Sequence, residues 1–292
     1  IKPYLFVAFF KLSPAISLEA ANYLRIISFT IPIIFLILNF SGIYVGSGRS
    51  DIPFYYNATG LILNIALDPL LIFGLGPIPA LGTQGAAIAT CFSQLVVLIL
   101  FVWHLKKREG VFGYFPFLIR LKSSYTINIF KLGFPVAAMN IFFSLINMNL
   151  VRIASIHGGH LGVTSQTTGG QIEGITWNTT QGFATALGSF VAQNYSANKM
   201  ERAKKALTFT LKTMLSFGVL VSIAFMIFGN NIFSIFIPER EAYLAGGDYL
   251  FILGISQVFM MLELTTQGMF NGIGRTSPPA IISIVFNAIR IP

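Results

Sequence analysis

Few residues of this 292-residue chain could do chemistry. Ten are acidic, and only Asp68, Glu173 and Glu263 fall well inside long apolar stretches. A carboxylate in such surroundings is poorly solvated. That raises its affinity for a proton and lets sodium compete for the same oxygens. Asn64 precedes Asp68 by one helical turn, so an amide and a carboxylate share one face. The pair suits reversible binding of a proton or sodium ion; a local capping role is the plainer alternative. Glu173, Trp177 and Thr180 follow a helical spacing that puts a carboxylate and an aromatic ring side by side, which suits an organic cation. An ion pair between Glu173 and Arg152 is the alternative there. Glu263 lies one turn before Gln267, either lining a cleft or packing against polar neighbours.

Other chemistries are not supported. No metal site is expected beyond sodium at Asp68 and Asn64. His157 and His160 sit in a Gly-rich connection and read as an ordinary exposed loop. The single Cys91 permits no internal disulfide. There is no Gly-x-x-x-x-Gly-Lys-Ser/Thr phosphate loop, no Ser/His/Asp set and no Cys-x-x-Cys, so neither an enzyme nor an organic cofactor is expected. Met139, Phe142, Met260 and Met261 could line an adaptable apolar cleft, core or lipid-facing packing being the plainer reading for each.

The elements that must position these groups follow from composition. The chain is 54% hydrophobic and 10% charged, far below the ~25% charge of soluble domains. Apolar runs long enough to cross a bilayer as helices lie at 21–46, 54–75, 84–104, 127–156, 168–193, 205–237 and 246–272, with partial runs at 1–12 and 279–292. The runs are continuous rather than alternating, which argues against barrel strands. The fold class is therefore all-α and polytopic.

The net charge of +9 is distributed by connection. Arg49, the group Lys106, Lys107, Arg108, Arg120 and Lys122, the group Lys199, Arg202, Lys204 and Lys205, and Arg275 occupy alternate loops. The intervening loops carry little positive charge. This pattern assigns the basic loops to the cytoplasm and predicts contact with anionic membrane lipid, not a nucleic-acid groove.

The chain also repeats itself at an offset of 226 residues, as in Tyr23-Leu24 against Tyr249-Leu250. The clearest segment is Gly42-x-x-x-Gly46-x-Gly48-Arg49-Ser50 against Gly268-x-x-x-Gly272-x-Gly274-Arg275-Thr276. Small residues four apart let helix backbones approach closely. After a three-residue gap Asn64 aligns with Asn287 and Pro69 with Pro292, but Asp68 faces Ile291. That asymmetry favours a dedicated role for Asp68. Both copies end on the same side, which defines a parallel repeat of six spans. Twelve spans are then expected, about nine of them here, in an intact length of roughly 450 residues.

Several motifs in order resemble the multidrug and toxic compound extrusion (MATE) transporters. They are Asn64-Ile65-Ala66-Leu67-Asp68-Pro69, Gly85-Ala86-Ala87-Ile88-Ala89-Thr90, Lys131-Leu132-Gly133-Phe134-Pro135, and Gln193-Asn194-Tyr195-Ser196-Ala197-Asn198 followed by Glu201-Arg202-Ala203. The two Gly-Arg-Ser/Thr ends complete the set. The resemblance implies a two-lobe fold, with the N-lobe at 1–122 and the C-lobe at 123–292, running from the end of helix three to the start of helix eleven. It implies a monomer in a prokaryotic cytoplasmic membrane. It further implies export of amphipathic or cationic small molecules, driven by inward flow of protons or sodium.

Asn64 and Asp68 match the fifth-helix pair of the bacterial damage-inducible and archaeal branch, and Thr90 is the corresponding polar partner on the sixth helix. That branch also uses a first-helix aspartate that this chain does not contain. A second branch places a glutamate two turns after the Gly-x-Pro, where this chain reads Val136-Ala137-Ala138-Met139-Asn140-Ile141-Phe142-Phe143 with no acid. The alternatives are a lipid-linked oligosaccharide flippase of the same superfamily and a nonfunctional truncated product.

Overall fold

The structure, a computed structural model, describes residues 14–74, 79–107 and 122–289. The partial run at 1–12 lies outside the described residues, as do Pro77, Arg108, Arg120, Ile291 and Pro292. The described residues are helical with short connections and no strand. We number the helices α1 (Pro14–Gly46), α2 (Asp51–Ile72), α3 (Thr83–Lys107), α4 (123–158), α5 (160–196), α6 (Met200–Phe236), α7 (Arg240–Gly272) and α8 (Ser277–Ala288).

α4 and α5 come from one helical run of 74 residues, Ser123–Ser196. At 1.5 Å per residue a straight helix of that length would span about 110 Å, more than three bilayer cores. It breaks at Gly159, whose φ of 53° and ψ of −141° suit only glycine. The turn is tight: a Cβ on Gly162 would meet the carbonyl oxygen of Ala154 at 2.6 Å. The exposed His157 and His160 flank it.

Each of the seven complete apolar runs forms a helix over its described residues, with α2 stopping at Ile72 before the end of its run. Other ends extend further than apolarity alone suggests, because polar first turns remain helical: Glu201, Arg202 and Lys204 belong to α6. Five of the helical runs are long and apolar enough to cross a membrane by length and composition. The 22-residue α2 is shorter than any of these and carries Asn57, Asn64 and Asp68 within it.

The chain divides into two compact units, residues 1–119 and 120–292. In the first, Ile37, Phe40 and Tyr44 of α1, Ile52 of α2, and Val97, Phe101 and Leu105 of α3 form the core. Two glycines bring α2 and α3 together. A Cβ on Gly60 would collide with Val97, and one on Gly85 with the Leu71 backbone carbonyl. Near one end of the unit Tyr56 Oη and His104 Nδ1 are 2.6 Å apart, with Tyr44 edge-on to the imidazole.

In the second unit, Ile172, Phe225, Phe233 and Leu250 join α5, α6 and α7. Here the glycine motif makes its backbone contacts: Gly268 lies against the Ala184 carbonyl and Gly272 against the Gly188 carbonyl, so α7 and α5 touch main chain to main chain. Met261 is fully buried in this packing, its sulfur beside Gly218. It is a core residue and not a cleft-lining one. Phe142, by contrast, is 48% exposed.

The internal repeat is reproduced bond for bond at its turn. After α1, the Gly48 N–H donates to Val45 and the Arg49 N–H to Tyr44, with Gly48 at φ 81°. After α7, the Gly274 N–H donates to Asn271 and the Arg275 N–H to Phe270, with Gly274 at φ 74°. These are left-handed helix caps that only glycine closes without strain. The upstream glycines differ between copies: nothing among the described residues lies within 4 Å of a Cβ on Gly42 or Gly46.

Candidate ion and substrate sites

The helical register of α2 puts Asn64 and Asp68 together. The Asn64 amide nitrogen donates to Asp68 Oδ1 at 3.2 Å, and both residues are half-buried. Among the described residues Asp68 makes no ion pair, so its charge is not neutralised by a basic neighbour. Because the Asn64 NH2 group makes the bond, its carbonyl oxygen stays oriented for another donor or a cation. The next residue, Pro69, lies inside the helix and has no N–H, so the Ile65 carbonyl loses its helical donor. A carboxylate, an amide oxygen and a backbone carbonyl thus come from five consecutive residues, all of them oxygen ligands that suit a hard monovalent cation. The carbonyl was not anticipated from sequence, although Pro69 was the signal for it.

Thr90 does not join this pair. Its hydroxyl donates to the Ala86 carbonyl of its own helix at 3.0 Å.

Glu173 of α5 reaches across to α7. Gln257 donates its amide to Glu173 Oε1 at 3.2 Å. The Thr176 hydroxyl lies 2.8 Å from the Glu173 carbonyl and 3.0 Å from Gln257 Oε1, so its one proton is shared between two acceptors. Gln257 is fully buried and Thr176 nearly so. Trp177 turns elsewhere, stacking on Phe143 of α4 with ring centroids 5.7 Å apart and planes 19° from parallel. Glu173 and Trp177 share a helical face but engage different neighbours. Gln257 was missed in the sequence; its signal was a lone amide in the apolar stretch Gly254–Phe259.

Glu263 of α7 is exposed and accepts from Gln267 at 3.2 Å. The same Gln267 amide lies 3.9 Å from the Met139 sulfur of α4. The polar partner one turn away is therefore engaged.

Comparison with known proteins identifies the family of the chain. Residues 3–70 and 135–292 match the MatE family. The chain is 32% identical over 200 residues to an FAD transporter of Shewanella oneidensis, covering 67% of this chain and 43% of that protein. It is 27% identical over 281 residues to a probable multidrug resistance protein NorM of Thermotoga maritima, covering 94% and 59%. A crystal structure of a MATE mutant superposes with a TM-score of 0.87 at 23% identity, covering 99% of this chain and 63% of that one. The chain thus spans about half the length of the relatives it matches. It belongs to the MatE family, whose members are membrane transporters and not enzymes.

Proposed function

We propose that this protein is part of a secondary exporter of amphipathic or cationic organic molecules in a prokaryotic cytoplasmic membrane, with its basic loops in the cytoplasm. Inward movement of protons or sodium drives it, and Asp68 with Asn64 holds the coupling ion. The observation that carries this reading is the Asp68 carboxylate within an apolar unit, bonded to a neutral amide and unpaired with any described cation. Such a group changes occupancy with the ion gradient at little structural cost. Thr90 of α3 bonds within its own helix and is not assigned to the ion. Glu173, Trp177 and Glu263 are offered to substrate or to a second ion from the other unit.

The acidic character of the three in-span charges, Asp68, Glu173 and Glu263, favours cations. The Thermotoga relative, named as a multidrug resistance protein, supports drug export. The Shewanella relative, named as an FAD transporter, supports a second reading in which the cargo is an anionic dinucleotide. Proteoliposomes of the protein distinguish them. Export of a cationic dye under an imposed proton or sodium gradient is the expected result. Gradient-driven movement of FAD with no movement of dye replaces cation export by the second reading. Movement of neither overturns the proposal.

A further inference from the structure

The second unit carries a basic cavity that ion coupling does not use. Asn128, Lys131 and Leu132 of α4 and Gly274, Arg275, Thr276, Ser277 and Pro278 at the start of α8 line an open surface pocket of about 570 Å³. Two cations thus face one space, and neither forms an ion pair among the described residues. Thr276, which lines the cavity, is only 8% exposed, and its hydroxyl makes no side-chain cap bond. With no cap bond to make, this hydroxyl at the pocket wall is free to donate to a ligand oxygen.

The internal repeat supplies an independent comparison. In the first copy, Arg49 is held bidentately by Asp51, at 3.1 Å through Nε and 3.0 Å through Nη2. The residue equivalent to Asp51 in the second copy is Ser277. The turn geometry is the same, yet the built-in anion is missing and Lys131 adds a second positive charge. The helix start contributes little itself, since Pro278 and Pro279 have no N–H.

We infer that Arg275, Lys131 and Thr276 bind the phosphate group of an anionic ligand, taking the place that Asp51 fills in the first copy. Arginine and lysine with a hydroxyl are a suitable set for a phosphodiester. The exposed apolar side chain of Leu132 lines the pocket beside the cations, which fits a lipid headgroup with its chains alongside. A free phosphate offers the same chemistry at the cations but makes no use of that surface.

The test is lipid binding by the purified protein, delipidated in neutral detergent and followed by native mass spectrometry. It is titrated with phosphatidylglycerol, with phosphatidylcholine and with inorganic phosphate. The expected result is preferential binding of phosphatidylglycerol, weakened about tenfold or more when both cations are removed in the Arg275→Gln/Lys131→Gln variant. Ser277→Asp, which rebuilds the first copy's arrangement at an exposed position, should weaken it similarly, while Ser277→Asn should not. Arg49→Gln, whose cation is already paired, should leave it unchanged. Binding that millimolar phosphate does not displace assigns the site to lipid; displacement assigns it to a soluble phosphate and keeps the anion site. Equal binding of the two lipids, or undiminished phosphatidylglycerol binding by Ser277→Asp, overturns the proposal.

Discussion

Each unit carries a carboxylate inside its helices, but the two are held differently. Asp68 is bonded to Asn64 within a single helix. Glu173 is bonded to Gln257 across the α5–α7 seam, where the glycines have already brought the backbones into contact. Losing or gaining a charge at Asp68 therefore changes one bond inside α2 and leaves the packing of its unit alone. The same change at Glu173 alters what holds two helices together. The first arrangement suits rapid ion exchange. The second ties ionisation to helix packing.

The contrast can be broken in several places. The largest effect is expected at Asp68→Asn, which keeps shape and removes the charge. Ion-driven dye export should fall by about tenfold or more, while membrane insertion and thermal stability of the purified protein stay as in the parent. Wild-type export by this variant would remove Asp68 from the account. Gly268→Val should behave in the opposite way. Its side chain must enter the space of the Ala184 carbonyl, and overpacking of this kind costs about 1–3 kcal/mol. The readout is a lowered melting temperature in detergent, and an unchanged one would mean that the α5–α7 contact is loose.

A smaller effect is expected at Gln257→Leu, which removes the Gln257 bonds to Glu173 and Thr176 at the seam. Interhelical hydrogen bonds in membranes are worth about 1 kcal/mol, so melting should fall modestly and export a few-fold. Glu173→Gln, able to keep a neutral bond to Gln257, should melt close to the parent. The smallest change is expected at Thr90→Val. Its hydroxyl serves a carbonyl of its own helix, so export should change by less than about twofold. A loss as large as that of Asp68→Asn would bring Thr90 back beside the ion.

How much of this could be read from sequence depended on the range of the interaction. Helix existence was legible, because apolar runs of bilayer length leave few alternatives. Helix ends were less so. Residues such as Glu201 and Lys204 look like loop by polarity but continue the helix, linked by their own ion pair at 3.0 Å. The Asn64–Asp68 pair was legible because both residues lie on one turn. The Glu173–Gln257 bond was not, since its partners are 84 residues apart and nothing local to either announces the other. The place of Met261 was open for the same reason: a methionine on an apolar helix faces lipid, cleft or core according to neighbours that only packing reveals. The turn after α7 shows the converse case. Its geometry was implied by the repeat because Gly-Arg carries its own cap, whereas the loss of an acid between Asp51 and Ser277 gained meaning only once the cavity beside it was visible.

The central claim, that Asp68 with Asn64 holds the coupling ion, is tested most directly by ion release. Purified protein in weakly buffered solution is mixed with a cationic dye, and a pH indicator or a sodium-sensitive probe records what leaves the protein. The account predicts a release of protons or sodium from the parent and from Glu173→Gln, and none from Asp68→Asn even though that variant still binds dye. Undiminished release from Asp68→Asn would contradict it.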